Sequence, residues 1–146
     1  MKRTVLLLFI ALFVAIAGPL SAGERAVERQ HCSVNAGPCV AKTTDGAIEV
    51  TLDITPKPVA AMRELTFQVQ LKDRRGPMTD ASVKILLSMP GMYMGKNEVT
   101  LSSRNGRYEG TGIIVRCPSG KKTWQADVVI RSSDKIDSTG FIFEVQ

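Results

Sequence analysis

The chain has 146 residues, 44% of them apolar and 23% charged, with a formal net charge of +5. That length suits one domain with its own core, and the apolar share excludes a disordered chain. One histidine and two tyrosines leave little material for acid–base catalysis, so a binding role is expected and not a reaction.

The N-terminus reads as a targeting segment. Lys2 and Arg3 form a positive start, Val5 to Ala17 is almost wholly apolar, Gly18-Pro19 breaks the helix, and Leu20-Ser21-Ala22 offers a small-residue cleavage site. This three-part layout predicts a cleaved secretory signal peptide over residues 1–22 and a periplasmic or secreted mature chain. The apolar run is shorter than the roughly 18–20 residues needed to cross a bilayer, which argues against a retained anchor. No cysteine directly follows the small residues, which argues against a lipoprotein. Without Lys2 and Arg3 the 19 basic residues fall to 17 against 14 acidic ones, a net charge of +3. So mild and scattered an excess gives no case for nucleic acid, which is rejected as a partner.

Residues 23–46 form a cysteine-bearing lead-in, with residues 23–38 expected to be loosely ordered. Cys32, Cys39 and Cys117 all lie in the exported part. An oxidising compartment permits one disulfide and leaves one thiol over. Of the three pairings, Cys32 with Cys39 is the shortest in sequence, and Gly37-Pro38 between them supplies a turn. That pair is favoured; sequence does not decide it. His31 beside Cys32 is either a borderline ligand pair or a solvated histidine.

From residue 47 to 146 the chain shows the period-two alternation of half-buried strands. Ile48, Val50, Leu52 and Ile54 form one apolar row, preceded by an Asp45-Gly46 turn that closes a further hairpin with Val40 to Lys42. Leu65, Phe67, Val69 and Leu71 form the next; Val83, Ile85 and Leu87, then Val99 and Leu101, follow. Asn105-Gly106 is a strong hairpin signal, opening a strand from Tyr108 to about Arg116. Trp124, Ala126, Val128 and Ile130 make another, and Phe141, Phe143 and Val145 the last. No segment of the mature chain has helical periodicity. About seven short strands predict an all-β fold, an immunoglobulin-like antiparallel β-sandwich, with a small barrel as the alternative. Strand parity then gathers Met62, the loop with Met89, Met92 and Met94, and Cys117 at one end, with Cys39 opposite Leu52 and Met78 at the other end.

The densest chemistry is Met89-Pro90-Gly91-Met92-Tyr93-Met94-Gly95. Thioethers are soft donors that select Cu(I) over hard ions, and a free Cys117 would add a thiolate. The same methionines also serve as flexible core filler, and both readings stand at this point. Trp124 is expected to be a buried core aromatic. Catalysis fails on inventory: a Ser–His–Asp triad would have to use His31 outside the core, and no phosphate-cradling loop is present.

The run 89–95, then Gly106-Arg107-Tyr108-Glu109-Gly110, then Gly120 and Trp124, resembles the YtkA-like domain family over roughly residues 48–146. The resemblance implies an exported immunoglobulin-like domain associated with copper or heavy-metal handling and respiratory-oxidase maturation. Where that family often has a Met before its Gly–Trp turn, this chain has Cys117. The lead-in cysteines have no counterpart in the pattern.

The leading expectation is therefore a non-enzymatic, exported carrier or accessory protein that binds Cu(I) through Met89, Met92 and Met94 with Cys117. Its expected partners are components of a metal transporter or of respiratory-oxidase assembly, and it would meet the membrane only through them. The alternative is a structural or interaction module of a cell-envelope complex that binds no metal. A thiol–disulfide partner role for Cys117 with Cys32 or Cys39 ranks third.

Overall fold

The computed structural model describes residues 26–146; the expected signal peptide, residues 1–22, lies outside them. The described residues are all β, with ten strands and no helix, as the alternation predicts. No described helix is long and apolar enough to cross a membrane. In chain order the strands are β1 (Arg29–His31), β2 (Cys39–Lys42), β3 (Glu49–Thr55), β4 (Glu64–Asp73), β5 (Gly76–Pro77), β6 (Ser82–Ser88), β7 (Glu98–Arg104), β8 (Arg107–Ile113), β9 (Thr123–Ser132) and β10 (Lys135–Glu144).

The inward rows are those read from the sequence. Val50, Leu52 and Ile54 of β3, Leu65, Phe67 and Val69 of β4, Val83 and Ile85 of β6, and Trp124, Ala126 and Val128 of β9 are fully buried. Successive side chains of a strand point to opposite faces, so each row turns one face inward and all join a single core cluster. Tyr108 is buried as well, and its hydroxyl accepts a hydrogen bond from Ala81 N–H at 3.0 Å.

The strands follow one hydrogen-bonded path, β1-β10-β9-β6-β7-β8-β4-β3-β2, with β5 attached to β4. The hinge of the path is β7, which pairs β6 through Glu98–Leu101 and β8 through Ser102–Arg104. Where β7 leaves β8, its side chains lie over β8. A Cβ on Gly110 would sit 2.6 Å from Thr100 O, and one on Gly112 would sit 2.5 Å from Val99 Cγ2. Glycine is what permits that close crossing. The β7–β8 turn is Asn105-Gly106 with φ of 51° and 77°, the double positive φ of a type I′ turn.

The two ends of the path come together, so the sheet is nearly closed like a barrel. Thr44 N–H donates to Ser138 O at 3.1 Å, and the Gln30 amide donates to Val40 O across the seam. Arg29 grips Asp127 of β9 with two hydrogen bonds, at 2.9 and 2.7 Å.

Three expectations need correction. The strands number ten, not about seven: β1 and β5 are added, and the expected further hairpin strand, β2, completes the count. The sequence pattern missed β1 because Arg29, Gln30 and His31 are all exposed and so carry no alternation. It forms by parallel backbone pairing with β10, and Val34 just after it is buried. The described part of the lead-in is thus built into the fold. Next, β8 ends at Ile113, short of Arg116, because Ile114 O accepts instead from Met62 N–H at 2.8 Å. Finally, β10 begins at Lys135, six residues before Phe141. Its first half, Lys135-Ile136-Asp137-Ser138-Thr139-Gly140, lacks an apolar row and is held by antiparallel pairing to β9. The β2–β3 hairpin forms as expected, with Cys39 opposite Leu52.

Candidate soft-metal site

The β6–β7 connection starts at Met89, where the backbone turns at once. Met92 N–H donates to Met89 O at 3.1 Å, and the two residues form an antiparallel bridge. Pro90 presets the first turn position and Gly91, at φ 71°, takes the second, the pattern of a type II turn. Bridged residues place their side chains on the same face. Met89 is buried, Met92 and Met94 are half-buried against the core, and Tyr93 between them is 90% exposed. The Met-Tyr-Met run thus alternates inward, outward, inward.

Cys117 arrives from the β8–β9 connection. Gly120 N–H donates to Cys117 O at 3.0 Å, and Gly120 has φ 73°. This Cys117-Pro118-Ser119-Gly120 turn folds back beneath its own thiol. Cys117 is buried and is a free cysteine. Its Sγ lies 3.8 Å from Met92 Sδ and 3.0 Å from Ser119 Oγ. The thiol pKa is lowered from its ordinary value. The Ser119 hydroxyl is the largest cause, against an opposing effect of burial; the Ser119 and Lys121 backbone N–H groups and the Lys121 charge add to the lowering. Donors aimed at sulfur favour the thiolate, the form that binds metal.

The 3.8 Å separation of the two sulfurs is compatible with a shared ion. Two bonds of about 2.3 Å to one ion, meeting at about 110–120°, separate their sulfurs by about 3.8–4.0 Å. Met89, bridged to Met92, and Met94, on the same inward side, are the thioethers nearest in sequence for a third position. Among the described residues no group of three or more His, Cys, Asp and Glu side chains could hold a metal ion, so the candidate donor set is sulfur alone.

The other sulfur residues separate cleanly. Cys32 and Cys39 form a disulfide with a Cα–Cα distance of 5.7 Å, as favoured from the sequence, which removes both from metal ligation. Met62 stands at the same end as Cys117, its backbone tied to Ile114, but its side chain is exposed. Met78 follows the β4–β5 hairpin and bonds Leu71 O, at the other end of β4. His31 is exposed on β1.

Two contributors escaped the sequence reading. Ser119 is the hydrogen-bond partner of Cys117; its i+2 spacing within Cys-Pro-Ser-Gly was the available signal. Trp124 is buried as expected, yet its indole N–H finds no acceptor among the described residues, which no sequence feature announces. Comparison with family models, curated proteins and solved structures finds no match to this chain.

Proposed function

We propose that this protein is an exported, non-catalytic carrier or accessory that binds Cu(I) as cargo between Met92 and Cys117, with Met89 or Met94 completing the donor set. The carrying observation is the 3.8 Å approach of a thioether to a thiol whose pKa is lowered by its own turn. A thiolate with thioethers is a soft donor set that suits Cu(I) and disfavours hard ions. The resemblance to the YtkA-like domain supports the same reading, and with it an immunoglobulin-like sandwich in which β7 passes between two layers. It also supports a periplasmic or secreted location and partners in metal transport or respiratory-oxidase assembly.

An anaerobic Cu(I) competition against a chromophoric chelator tests this reading on the mature protein. One-to-one binding is expected, weakened in Cys117→Ser and Met92→Leu variants that stay folded by circular dichroism. Equal copper uptake by both variants would sink the proposal.

The second reading is a metal-free structural or interaction module of the cell envelope. The burial of Met89 at 3% exposure favours it, because a methionine so enclosed is packing material. Under that reading Met89→Leu and Met92→Leu change stability alone, and copper leaves the melting temperature unmoved.

A further inference from the structure

A second feature of the same end is a cavity of about 270 Å³ that Cys117 borders but no methionine lines. Its walls divide by chemistry. Val115, Trp124 and Val145 supply an apolar side, and Arg116, Lys121 and Lys122 supply a cationic one. Six cations elsewhere, Arg29, Lys57, Arg75, Lys84, Lys96 and Lys135, each meet a carboxylate. Arg116, Lys121 and Lys122 form no ion pair among the described residues, and all three, exposed to solvent, line the one cavity. Trp124, a residue of the apolar wall, carries the orphaned indole N–H. A buried donor without an acceptor is costly and calls for a physical reason.

We infer that this cavity is a binding site for a small organic anion, a carboxylate on a compact apolar body. An apolar pocket with a few convergent polar groups is the usual form of a small-ligand site. Its volume falls just under the ~300–1,000 Å³ of sites for drug-sized ligands, which restricts the occupant to a small molecule. Three cations without carboxylate partners select negative charge, while the aromatic and valine walls select the apolar body. The cavity and the sulfur pair share only Cys117, so the inference goes beyond the copper reading and does not need it.

The test is a titration of metal-free protein with benzoate, with benzyl alcohol as the neutral control of similar shape and acetate as the control lacking the body. The single tryptophan is Trp124, so its fluorescence reads the cavity wall, and backbone amide shifts at residues 115–124 locate the ligand. Benzoate is expected to saturate at least tenfold more tightly than either control. A Lys121→Gln/Lys122→Gln variant, changed only at exposed side chains, is expected to lose at least tenfold in benzoate affinity and nothing in benzyl alcohol affinity. Met92→Leu is expected to bind benzoate as the parent does, which keeps this site separate from the copper proposal. Equal affinity for benzoate and benzyl alcohol, shifts centred elsewhere, no saturable binding, or an unaffected lysine variant would each overturn the inference.

Discussion

Two close sulfur pairs among the described residues differ in what they can do. Cys32 and Cys39 flank one short turn, join the end of β1 to the start of β2, and are covalently closed. Cys117 and Met92 come from connections 25 residues apart and only approach, at 3.8 Å. A thioether cannot close a disulfide, so this second pair leaves the Cys117 thiol free. The first pair is a staple at the seam of the nearly closed sheet. The second keeps a thiol surrounded by hydrogen-bond donors next to a soft partner.

The comparison can be broken most forcefully at the staple. Replacing Cys32 and Cys39 together by Ser should cost about 2–4 kcal/mol of stability, the usual worth of a native disulfide, and leave Cu(I) affinity intact in the protein that remains folded. Chemical denaturation and the chelator competition read the two effects separately. If copper affinity fell in step with stability, the two pairs would not be independent.

At the open pair the order of effects reverses. Cys117→Ser should lower Cu(I) affinity about a hundredfold, equivalent to about 2.7 kcal/mol, because a hydroxyl is a hard, protonated substitute for a thiolate. Met92→Leu should lower it about tenfold and shift stability by less than about 1.5 kcal/mol, since Leu conserves the apolar volume. A larger loss of stability than of affinity in Met92→Leu would favour the packing reading.

The smallest effect expected is at Ser119. Ser119→Ala removes the hydroxyl that does most to lower the Cys117 pKa, so the thiol should titrate closer to its ordinary 9.0. The ultraviolet thiolate absorbance against pH measures this directly. The sign for stability follows from a folded-state pKa below the unfolded one. The thiolate's contribution is complete above the unfolded value of 9.0 and fades as pH falls through the lowered folded value. The parent should therefore gain stability over Ser119→Ala on going from neutral to alkaline pH, and a parallel pH profile for the two would remove Ser119 from the account.

Most of the β architecture was legible because burial on one side of a strand writes itself into alternate residues. Leu65, Phe67 and Val69, or Trp124, Ala126 and Val128, needed no partner strand to be recognised. Asn105-Gly106 likewise announced its hairpin through the backbone angles that Gly and Asn tolerate. Strand β1 and the start of β10 were not legible, since Arg29-Gln30-His31 and Asp137-Ser138-Thr139 are held by backbone pairing and by the Arg29–Asp127 contact, which leave no apolar period. At the candidate site the residue types could be read, and strand parity placed their loops at one end.

By itself, then, the sequence determined the all-β fold of the described residues, its principal strand rows, the turn residues that close its hairpins, and a set of sulfur residues gathered at one end. These are local properties, fixed by side-chain periodicity and by the backbone freedom of a few residues. Only the tertiary structure decided which cysteines bond, that Cys117 meets Met92 and not Met62, and that Ser119 and Lys121 lower its pKa. It also decided that β7 changes partners over Gly110 and Gly112. Each of these depends on distances between segments far apart in the chain, which the closing of the sheet sets and no local pattern contains.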